Sequence, residues 1–507
     1  MSTPSWERRS SAVVALLCAL KALAHLALIA RYDYHSDELY FLECGQRLAL
    51  GYVDHPPLIP WIARLADASG GGIVALRLPA VLAGSATLYL GACLVREWGG
   101  QWRAQLITLL CLFLAPAPLR MTGMLDIPVI EVFLCTLTAY LVVRALKHDG
   151  RWVWGWAGAA LGLAVLAKYS AVAWGLALFS GLLVSPQRHV LRARWPWLGV
   201  AVAVCVPLPN LVWQVQHGFP TLEFMSAMRA QLAVSQGRWL FLAGQVLYFA
   251  PLAVPVWIAG VAFGFRREGA DARVFSVLFV ALLIFMFISS GKPYYLASAY
   301  PPVLAAGGVA LERWLASRVW LRRGLIAAIA TTGSGLAMLC LPVLPIRELD
   351  ATFDALFGWA VPPILLTDDM HRMFGSRAQT ETVEGVYAGL PAEERRVTSV
   401  LAGSYSQAAA FNHYRTAESP RAVSGHMTYY LWGYDAQRTQ LLVAYGVPKD
   451  LLERAYGRCD EAARIDTPLA TPANTDLPVY VCRGLVTAFD AWWPLLRDYG
   501  HRPLGPE

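Results

Sequence analysis

Acidic and aromatic residues are concentrated in the stretch 31–58, RYDYHSDELYFLECGQRLALGYVDHPPL, which directly follows an apolar segment. The groups in it that could exchange protons are Asp33, Asp37, Glu38, Asp54 and His55. Carboxylates beside a membrane span are costly unless their charge is used there, and a positioned carboxylate or imidazole is a suitable general base. The stretch therefore predicts acid–base chemistry at a membrane surface.

Asp37 is the carboxylate of this group for which we most expect a functional role, and Glu38 is the second candidate. Ser36 is predicted to cap a helix that begins at Asp37, and the segment HPPLIPWIARLAD predicts a second helix, because prolines are tolerated in a first turn. Both helices are expected at the membrane interface, where Trp61 suits the headgroup level. Stabilisation of the helix dipole would explain Asp37 alone, but it would not explain the whole cluster.

Further ionisable and aromatic residues recur near the ends of later apolar segments, namely Asp126, Lys168, Lys292, Tyr294 and Tyr295. Singly, each lysine could be a snorkelling anchor, and the tyrosine pair could belong to an interfacial aromatic belt. Together, the cations complement a phosphate, so the set predicts a site that binds an anionic headgroup and activates a nucleophile beside it. Asp37 and Asp126 could also hold a divalent metal, although two carboxylates do not define a metal site.

The composition indicates the elements that must position these residues. Hydrophobic residues make up 57% of the chain and charged residues 15%, and the mean hydropathy is +0.45. These values lie outside the range of soluble domains and predict an α-helical multi-pass membrane protein, since about 20 apolar residues cross a bilayer. About eleven transmembrane helices are expected, at 11–30, 72–95, 104–118, 127–146, 153–167, 171–185, 198–213, 241–264, 274–290, 300–312 and 324–344. The two short segments flanking 168–170 could instead form one broken or re-entrant pair.

Basic residues indicate the orientation of these helices. With a cytoplasmic N-terminus, most arginines and lysines fall in the inner loops, as the positive-inside rule requires. This orientation places the stretch 31–58 and everything after about residue 345 outside, and the first apolar segment is interpreted as a retained anchor rather than a cleaved signal. The net charge of +7 then belongs mainly to the inner loops, and no basic patch interleaved with aromatics indicates nucleic-acid binding.

The composition changes after Pro345. Residues 346–507 mix charged residues with short strand-like segments at 397–403, 440–446 and 477–484, which predicts a small extracytoplasmic α/β domain following a membrane domain at 1–345. Two cysteines, Cys459 and Cys482, fall in this outer domain. An oxidising compartment would allow them to form a disulfide, but the sequence leaves this open.

Several motifs carry a resemblance to a known family. They are DELYF at 37–41, GYVDHPPL at 51–58, MLDIPVIEVF at 124–133, LAKYS at 166–170 and GKPYYLASAYP at 291–301. In their order and sidedness the chain resembles the GT-C superfamily of glycosyltransferases that use polyprenyl-phosphate-linked sugars. The resemblance is to the family 39-like branch of protein O-mannosyltransferases and aminoarabinose transferases.

This resemblance implies a function and a mechanism. A hexose or pentose would pass, with inversion, from a polyprenyl phosphate to an acceptor hydroxyl on a lipid, a glycan or a protein, at the outer face of the plasma membrane. It implies Asp37 as the base, whereas His55, Asp126, Lys168, Lys292 and the tyrosines 294 and 295 would contact substrate or lipid phosphate. Many relatives have a lysine where this chain has His55, so this position departs from the family pattern.

Two other functions fit a multi-pass membrane protein. A transporter or flippase of lipid-linked saccharide would place ionisable residues near the bilayer midplane and show inverted repeats, whereas here the charges lie at outer ends and no repeat is visible. A membrane scaffold that only presents the outer domain would not need an acidic first loop. The sequence therefore favours the glycosyltransferase, with the transporter as the alternative.

Overall fold

The computed structural model describes residues 5–148, 150–235, 237–249, 251–358 and 363–500, and it is mostly helical. The first helices are α1 Ser5–Leu28, α2 Ser36–Gln46, α3 Leu58–Ala68, α4 Gly72–Glu97, α5 Trp102–Leu114, α6 Pro116–Thr122, α7 Ile127–Lys147, α8 Val153–Ala167 and α9 Ser170–Val184. They are followed by α10 Arg194–Cys205, α11 Leu208–Gln216, α12 Pro220–Ser235, α13 Gly237–Tyr248, α14 Val254–Phe265, α15 Arg273–Ile288, α16 Tyr300–Trp314 and α17 Val319–Cys340.

Each predicted membrane segment falls on one helix or, for 104–118, 198–213 and 241–264, on two consecutive helices, but the predicted number of spans is not confirmed. Within the described ranges, six helices are long and apolar enough to cross a bilayer, or up to eight if each sharply bent helix pair is one span. The predicted span 241–264 falls on two helices, α13 and α14. The predicted break at 168–170 is present, because α8 ends at Ala167 and α9 begins at Ser170.

Glycines allow some of these helices to touch along their backbones. A Cβ atom at Gly260 of α14 would lie 2.0 Å from the carbonyl oxygen of Val303 in α16, and a Cβ atom at Gly307 would lie 2.0 Å from the carbonyl oxygen of Val256. Small residues permit this close approach in membrane helix pairs. Any larger residue at either position would force α14 and α16 apart.

The chain after α17 forms short helices around one sheet. The helices are α18 Ile346–Phe357, α19 Pro363–His371, α20 Ser376–Ala388, α21 Ala392–Arg396, α22 Tyr405–Tyr414, α23 Thr428–Trp432, α24 Lys449–Glu453 and α25 Phe489–Trp492. The strands are β1 Thr398–Ala402, β2 Ala422–Val423, β3 Leu441–Tyr445, β4 Tyr456–Ile465 and β5 Leu477–Leu485. The three predicted strand segments correspond to β1, β3 and β5, whereas β2 and β4 were not predicted.

The sheet has the strand order β2-β1-β3-β5-β4. Strand β1 is parallel to β2 and β3, and β5 is antiparallel to β3 and β4. Cys459 of β4 lies opposite Cys482 of β5, and the two form a disulfide. The disulfide that the sequence left open therefore links the last two strands of the sheet.

Helix α2 lies between the membrane helices and the five-stranded sheet. Its Phe41 and Leu42 belong to the hydrophobic core of the membrane helices, whereas Leu39, Tyr40 and Cys44 belong to a core shared with the sheet and α22. Nine of its eleven residues are buried. The prediction of a helix lying on the membrane surface is therefore wrong for α2, because apolar residues on both of its sides are covered by protein.

The start of α2 also differs from the prediction. His35, rather than Ser36, is the N-cap, because its Nδ1 accepts a hydrogen bond from the backbone N–H of Asp37 at 3.1 Å. The side chain of Glu38 completes the cap by accepting from the backbone N–H of His35 at 2.9 Å. Asp37 therefore leaves its carboxylate available for contacts outside the helix.

Candidate active site

A cavity of about 2340 Å³ is lined both by the membrane helices and by residues after α17, which we call the C-terminal segment. The membrane helices contribute apolar side chains to its lining, among them Val172, Leu176, Leu247, Phe285 and Leu336. The C-terminal segment contributes polar side chains, among them Ser404, Ser406, Gln407, Thr471 and Asn474. The cavity therefore joins an apolar region to a polar one, as an amphiphile with a hydrocarbon tail and a polar head would require.

The structure brings most of the predicted site residues to this one cavity. Seven of them line it, namely Asp37, His55, Asp126, Lys168, Lys292, Tyr294 and Tyr295. They come from positions up to 258 residues apart in sequence, the difference between 295 and 37. Glu38, the eighth, is fully buried and is not among the lining residues.

The carboxylate of Asp37 is held by two neighbours. The hydroxyl of Tyr405, at the first turn of α22, donates a hydrogen bond to Asp37 Oδ1 at 2.8 Å. The other oxygen, Oδ2, lies 3.8 Å from Nδ1 of His35. The Asp37 side chain is 33% exposed, so a substrate hydroxyl can reach it from the cavity.

Electrostatics keep Asp37 ionised. Its partial removal from water would by itself raise its pKa, but the charges of His35 and Arg372 and the hydrogen bond from Tyr405 outweigh that effect and lower the pKa. The pKa of Arg372 is raised, because Asp37, Tyr405 and Asp368 outweigh the effect of burial. Asp37 is therefore a carboxylate at neutral pH, the form that can accept a proton.

His35 links Asp37 to an ion pair deeper in the cavity. Its Nε2 lies 3.4 Å from Oδ1 of Asp369, whose other oxygen accepts a hydrogen bond from Arg120. Burial alone would raise the pKa of Asp369, but the charge of Arg120 and the contact with His35 hold it well below its ordinary range. The pKa of His35 is itself raised, because Asp369 and Asp37 outweigh the effect of burial.

Asp126 is the second carboxylate near Asp37. It is the N-cap of α7, where its Oδ1 accepts a hydrogen bond from the backbone N–H of Ile127 at 2.7 Å. Burial, together with the negative charges of Asp37 and Asp369, raises its pKa to about 7. The two carboxylates therefore differ in protonation at neutral pH: Asp37 is ionised, whereas Asp126 is in part protonated.

The raised pKa of Asp126 predicts a pH dependence of stability. Since the pKa in the folded protein, about 7, exceeds the ordinary 3.8, the stability contribution of this group is full below about pH 4 and is lost as pH rises through 7. Asp126→Asn removes this titration. We expect its melting temperature, relative to that of the parent protein, to rise between pH 4 and 8. Asp450→Asn, at an exposed position, is the control, and parallel melting curves for the Asp126 variant and its parent would contradict the prediction.

Glu38 is buried and connects residues from three parts of the chain next to the site. It forms a buried ion pair with Arg77 of α4, with Arg77 Nη2 and Glu38 Oε2 at 2.7 Å. Its Oε1 also accepts a hydrogen bond from the backbone N–H of Leu125 at 3.0 Å, next to Asp126. Glu38 thus joins the residues beside both carboxylates, and its geometry fits a positioning role rather than contact with substrate.

Asp54 and His55 lie at the other end of the first loop. The hydroxyl of Tyr40 donates a hydrogen bond to Asp54 Oδ1 at 2.9 Å and accepts one from the hydroxyl of Thr428 at 2.8 Å. Oδ1 of Asp54 lies 3.9 Å from Nε2 of His55. The rings of Tyr40 and Tyr405 are in contact, with centroids 4.6 Å apart.

These contacts form one continuous line of side chains along the cavity, which we call the polar row. In order, its members are Arg120, Asp369, His35, Asp37, Tyr405, Tyr40, Asp54 and His55. Asp37 lies in the middle of the row and the imidazole of His55 at one end, with the rings of Tyr405 and Tyr40 between them. Such an arrangement can hold a polar group between a proton acceptor and a second ionisable group.

Lysines and tyrosines lie at the break between α8 and α9. Lys168 Nζ is 3.5 Å from Glu131 Oε2 and lies over the rings of Tyr294 and Tyr295, at 5.1 and 4.2 Å from their centroids. Among the described residues, this Nζ is buried without a hydrogen-bond partner. Lys292 lines the same cavity. Cations in this setting can bind a phosphate.

The sequence did not identify four residues that the structure places around Asp37. They are His35, Asp369, Arg372 and Tyr405. His35 lies in the stretch 31–58 itself, and the only signals for the other three were the charged run TDDMHR at 367–372 and the segment GSYSQ at 403–407. Nothing in these runs indicates that they contact the first loop, which lies more than 300 residues earlier.

A metal site needs several ligand side chains close together. Within the described ranges, no group of three or more His, Cys, Asp and Glu side chains lies in a geometry that could hold a metal ion. Asp37 and Asp126 are engaged by Tyr405 and the N-terminus of α7. The two carboxylates predicted as possible ligands therefore do not form a metal site by themselves.

The known proteins that this chain resembles in sequence are glycosyltransferases. Residues 54–213 match the family model of dolichyl-phosphate-mannose-protein mannosyltransferases. A lipid A galacturonosyltransferase, RgtD, from Rhizobium johnstonii is 28% identical over 337 residues, which are 62% of this chain and 66% of that protein. The chain thus aligns with slightly less than two thirds of this curated relative.

Similar structures show the fold. The apo structure of ArnT from Cupriavidus metallidurans has a TM-score of 0.64 at 17% identity, covering 93% of this chain and 98% of that one. The structure of the same protein bound to undecaprenyl phosphate has a TM-score of 0.60, also at 17% identity, covering 92% and 97%. At this identity the similarity establishes a shared architecture over nearly the whole chain.

Proposed function

We propose that this GT-C superfamily glycosyltransferase moves a sugar from a polyprenyl-phosphate-linked donor to a hydroxyl of an acceptor, with inversion and with Asp37 as the general base. The observation that carries the proposal is the ionised carboxylate of Asp37, which faces a cavity with one apolar and one polar part. The apolar part fits a polyprenyl chain, and the polar part fits a sugar. No soluble substrate would need both.

The proposed reaction is a single displacement. Asp37 Oδ2 accepts the proton of the acceptor hydroxyl as the oxygen attacks the anomeric carbon, while Tyr405 holds the other carboxylate oxygen at 2.8 Å. The bond from the anomeric carbon to the phosphate oxygen breaks on the opposite side. Lys168, Lys292 and Tyr294 line the cavity and would stabilise the negative charge that develops on the phosphate.

Relatives support the substrate class. The similar ArnT structure holds undecaprenyl phosphate, and the similar Rhizobium protein is named for transfer of galacturonate to lipid A. We therefore propose a polyprenyl phosphate as the donor carrier, and a lipid as the first acceptor to be tested, before glycans and proteins. The proposed location is the plasma membrane, with the N-terminus in the cytoplasm and the outer sheet outside.

The test is a transfer assay with purified protein in lipid nanodiscs. Polyprenyl phosphates carrying mannose, aminoarabinose or galacturonate are supplied one at a time, with envelope lipids, glycans or peptides as acceptors. We expect one donor to add its sugar mass to one acceptor class, with an equal amount of polyprenyl phosphate released. The proposal would be contradicted if the donor remained intact with every acceptor. In proteoliposomes, movement of the intact donor between leaflets without sugar transfer would favour the flippase instead.

A further inference from the structure

Two neighbouring strands end beside the polar part of the cavity. Strand β1 is followed directly by Gly403, and the parallel strand β3 by Gly446. Residues from 403–407, 446–448 and 471–474 line the cavity there, and we call this part the strand-end crevice. In open α/β sheets, ligands bind in the crevice outside the carboxyl ends of the strands. The fold therefore places this part of the cavity where a ligand is expected.

Two glycines leave the strand ends free of side chains. A Cβ atom at Gly403 would collide with the carbonyl oxygen of Gly446, and a Cβ atom at Gly446 would collide with the side chain of Gln407. Gly446 also has a φ of +66°, a conformation that favours glycine. Both positions therefore present bare backbone to the cavity, which allows a bound molecule to approach closely.

The side chains of the strand-end crevice are neutral and mostly polar. Ser404 and Ser406, at the start of α22, have hydroxyl oxygens 3.0 Å apart. Asn474 accepts a hydrogen bond from Gln407 Nε2 at 3.1 Å and donates one to Thr471 Oγ1 at 3.3 Å. All five residues line the cavity, and Ser404, Ser406 and Asn474 are only half-buried. Because hydroxyl and amide groups can make more hydrogen bonds than these, the three half-buried side chains can also bind a molecule in the cavity.

Charge and strand pairing narrow the class of ligand. The described residues 403–407, 446–448 and 471–474 include no charged side chain, so a phosphate or carboxylate would lack a cation there. Strands β1 and β3 are each paired on both sides, so an extended peptide cannot add to them. Pro448 and Ala473 contribute apolar surface beside the hydroxyls and amides. A saccharide ring, which has both hydroxyls and C–H faces, complements this combination.

The charged residues next to the crevice are paired with each other. Arg372, which lies beside Asp37 and Tyr405, forms an ion pair with Asp368, with Nε and Oδ2 3.1 Å apart. The Nδ1 atom of His426 accepts a hydrogen bond from the backbone N–H of Tyr405 at 3.2 Å. An anionic acceptor would therefore have to compete with Asp368 for the guanidinium, whereas a neutral one would leave the ion pair intact.

The strand-end crevice lies on one side of Asp37. Tyr405, between the two serines of the crevice, donates its hydrogen bond to Asp37 Oδ1 at 2.8 Å. The lysines proposed to bind the phosphate, Lys168 and Lys292, come from among the membrane helices, whereas the crevice belongs to the C-terminal segment. Helix α2, which carries Asp37, lies between these two parts. Since the acceptor in a single displacement attacks from the side opposite to the leaving phosphate, the crevice is on the acceptor's side.

We infer that the strand-end crevice binds the acceptor, and that the acceptor presents a neutral saccharide ring there; this inference rests on the proposed function. The ring lies against the bare backbone of Gly403 and Gly446, and the side chains of Ser406 and Asn474 hydrogen-bond its hydroxyls. A further hydroxyl of the acceptor reaches Asp37, which takes its proton. A glycolipid and a free glycan both carry such a ring, whereas phosphatidylglycerol and a peptide do not.

The first test uses the parent protein in nanodiscs with the donor that is active in the transfer assay. Four acceptors are supplied separately, namely purified envelope glycolipids, the free saccharides released from them, phosphatidylglycerol, and an unglycosylated peptide rich in serine and threonine. We expect the glycolipids to gain the mass of the sugar, and transfer to the free saccharides as well would show that the ring suffices without its lipid. Product on phosphatidylglycerol or the peptide, with none on either saccharide, would overturn the inference.

The second test changes two side chains of the crevice. Ser406→Leu and Asn474→Leu each remove a hydrogen-bonding group and add bulk, so KM for the saccharide acceptor should rise at least about tenfold. KM for the donor should change by less than about threefold, because the crevice does not bind the donor. Ser406→Thr keeps the hydroxyl and should retain an acceptor KM close to that of the parent. Thr475→Leu is the matched control, because Thr475 is half-buried beside Asn474 but does not line the cavity.

Two kinetic results would also overturn the inference. One is an acceptor KM that stays unchanged in both leucine variants. The other is a parallel rise of KM for donor and acceptor together with a lower melting temperature, since a purely structural change produces that pattern. Ser406 and Asn474 lie in different segments, so either variant decides if the other does not fold, and the acceptor panel needs only the parent. A parent protein that cleaves no donor with any acceptor would instead contradict the proposed function.

Discussion

Asp37→Asn is expected to lower kcat by about 10² to 10⁴-fold while leaving donor binding nearly unchanged, because general base catalysis contributes about that much. The amide has the shape of the carboxylate and can still accept the hydrogen bond from Tyr405, but it cannot take a proton from the acceptor hydroxyl. The measurement is the initial rate of transfer by the purified variant under saturating donor and acceptor.

Asp33→Asn is the control for this variant. Asp33 lies in the same loop, is exposed, and accepts a hydrogen bond from Tyr414 at 2.8 Å, but it does not line the cavity. Its rate should stay close to that of the parent. Undiminished turnover by Asp37→Asn would remove the base assignment, whereas loss of donor binding would indicate that Asp37 contributes to binding.

Arg77→Met is expected to destabilise the protein by about 3–5 kcal/mol, because it leaves the carboxylate of Glu38 buried without its cation. Arg77 and Glu38 are 2% and 0% exposed, so water cannot replace the lost partner. The same change frees Glu38 from the position in which it accepts from Leu125. Transfer should therefore fall as well, and thermal unfolding of the detergent-solubilised protein measures the stability change.

Two further variants test the cause of this effect. Glu38→Gln combined with Arg77→Met removes both charges, so it should recover part of the loss, as coupled partners do. Arg64→Met breaks an exposed pair with Asp67, at 3.5 Å, and should change stability by less than about 1 kcal/mol. If Arg77→Met were no worse than Arg64→Met, the buried pair would not be what holds the first loop.

The membrane helices could be predicted from the sequence, because apolar segments of sufficient length have few alternatives in a bilayer. The same holds for the helical break at Lys168, since a cation interrupts two apolar runs there. The number of crossings could not be predicted, because short and bent helices such as α5 and α6 satisfy the length criterion only as a pair. The local sequence pattern therefore predicts where helices form better than it predicts how many of them cross the membrane.

The site was only partly predictable for a different reason. Asp37, Asp126 and Lys168 stood out because a charge beside an apolar segment is unusual. Tyr405 and Arg372 lie in the segment after α17, where polar residues are common, and only their proximity to Asp37 in the folded protein distinguishes them. Glu38 stood out by its place in the motif, and only the structure shows that it pairs with Arg77.

The location of α2 between two hydrophobic cores has a consequence for biosynthesis. The residue that holds the carboxylate of Asp37, Tyr405, is 368 positions later in the chain, and at about 5–20 residues per second it is made roughly 20 to 70 s after α2. During that interval Leu39 and Tyr40 lack the sheet that later covers them. The hydrogen bond that holds Asp37 can therefore form only after Tyr405 has been synthesised, and α2 completes its packing only then.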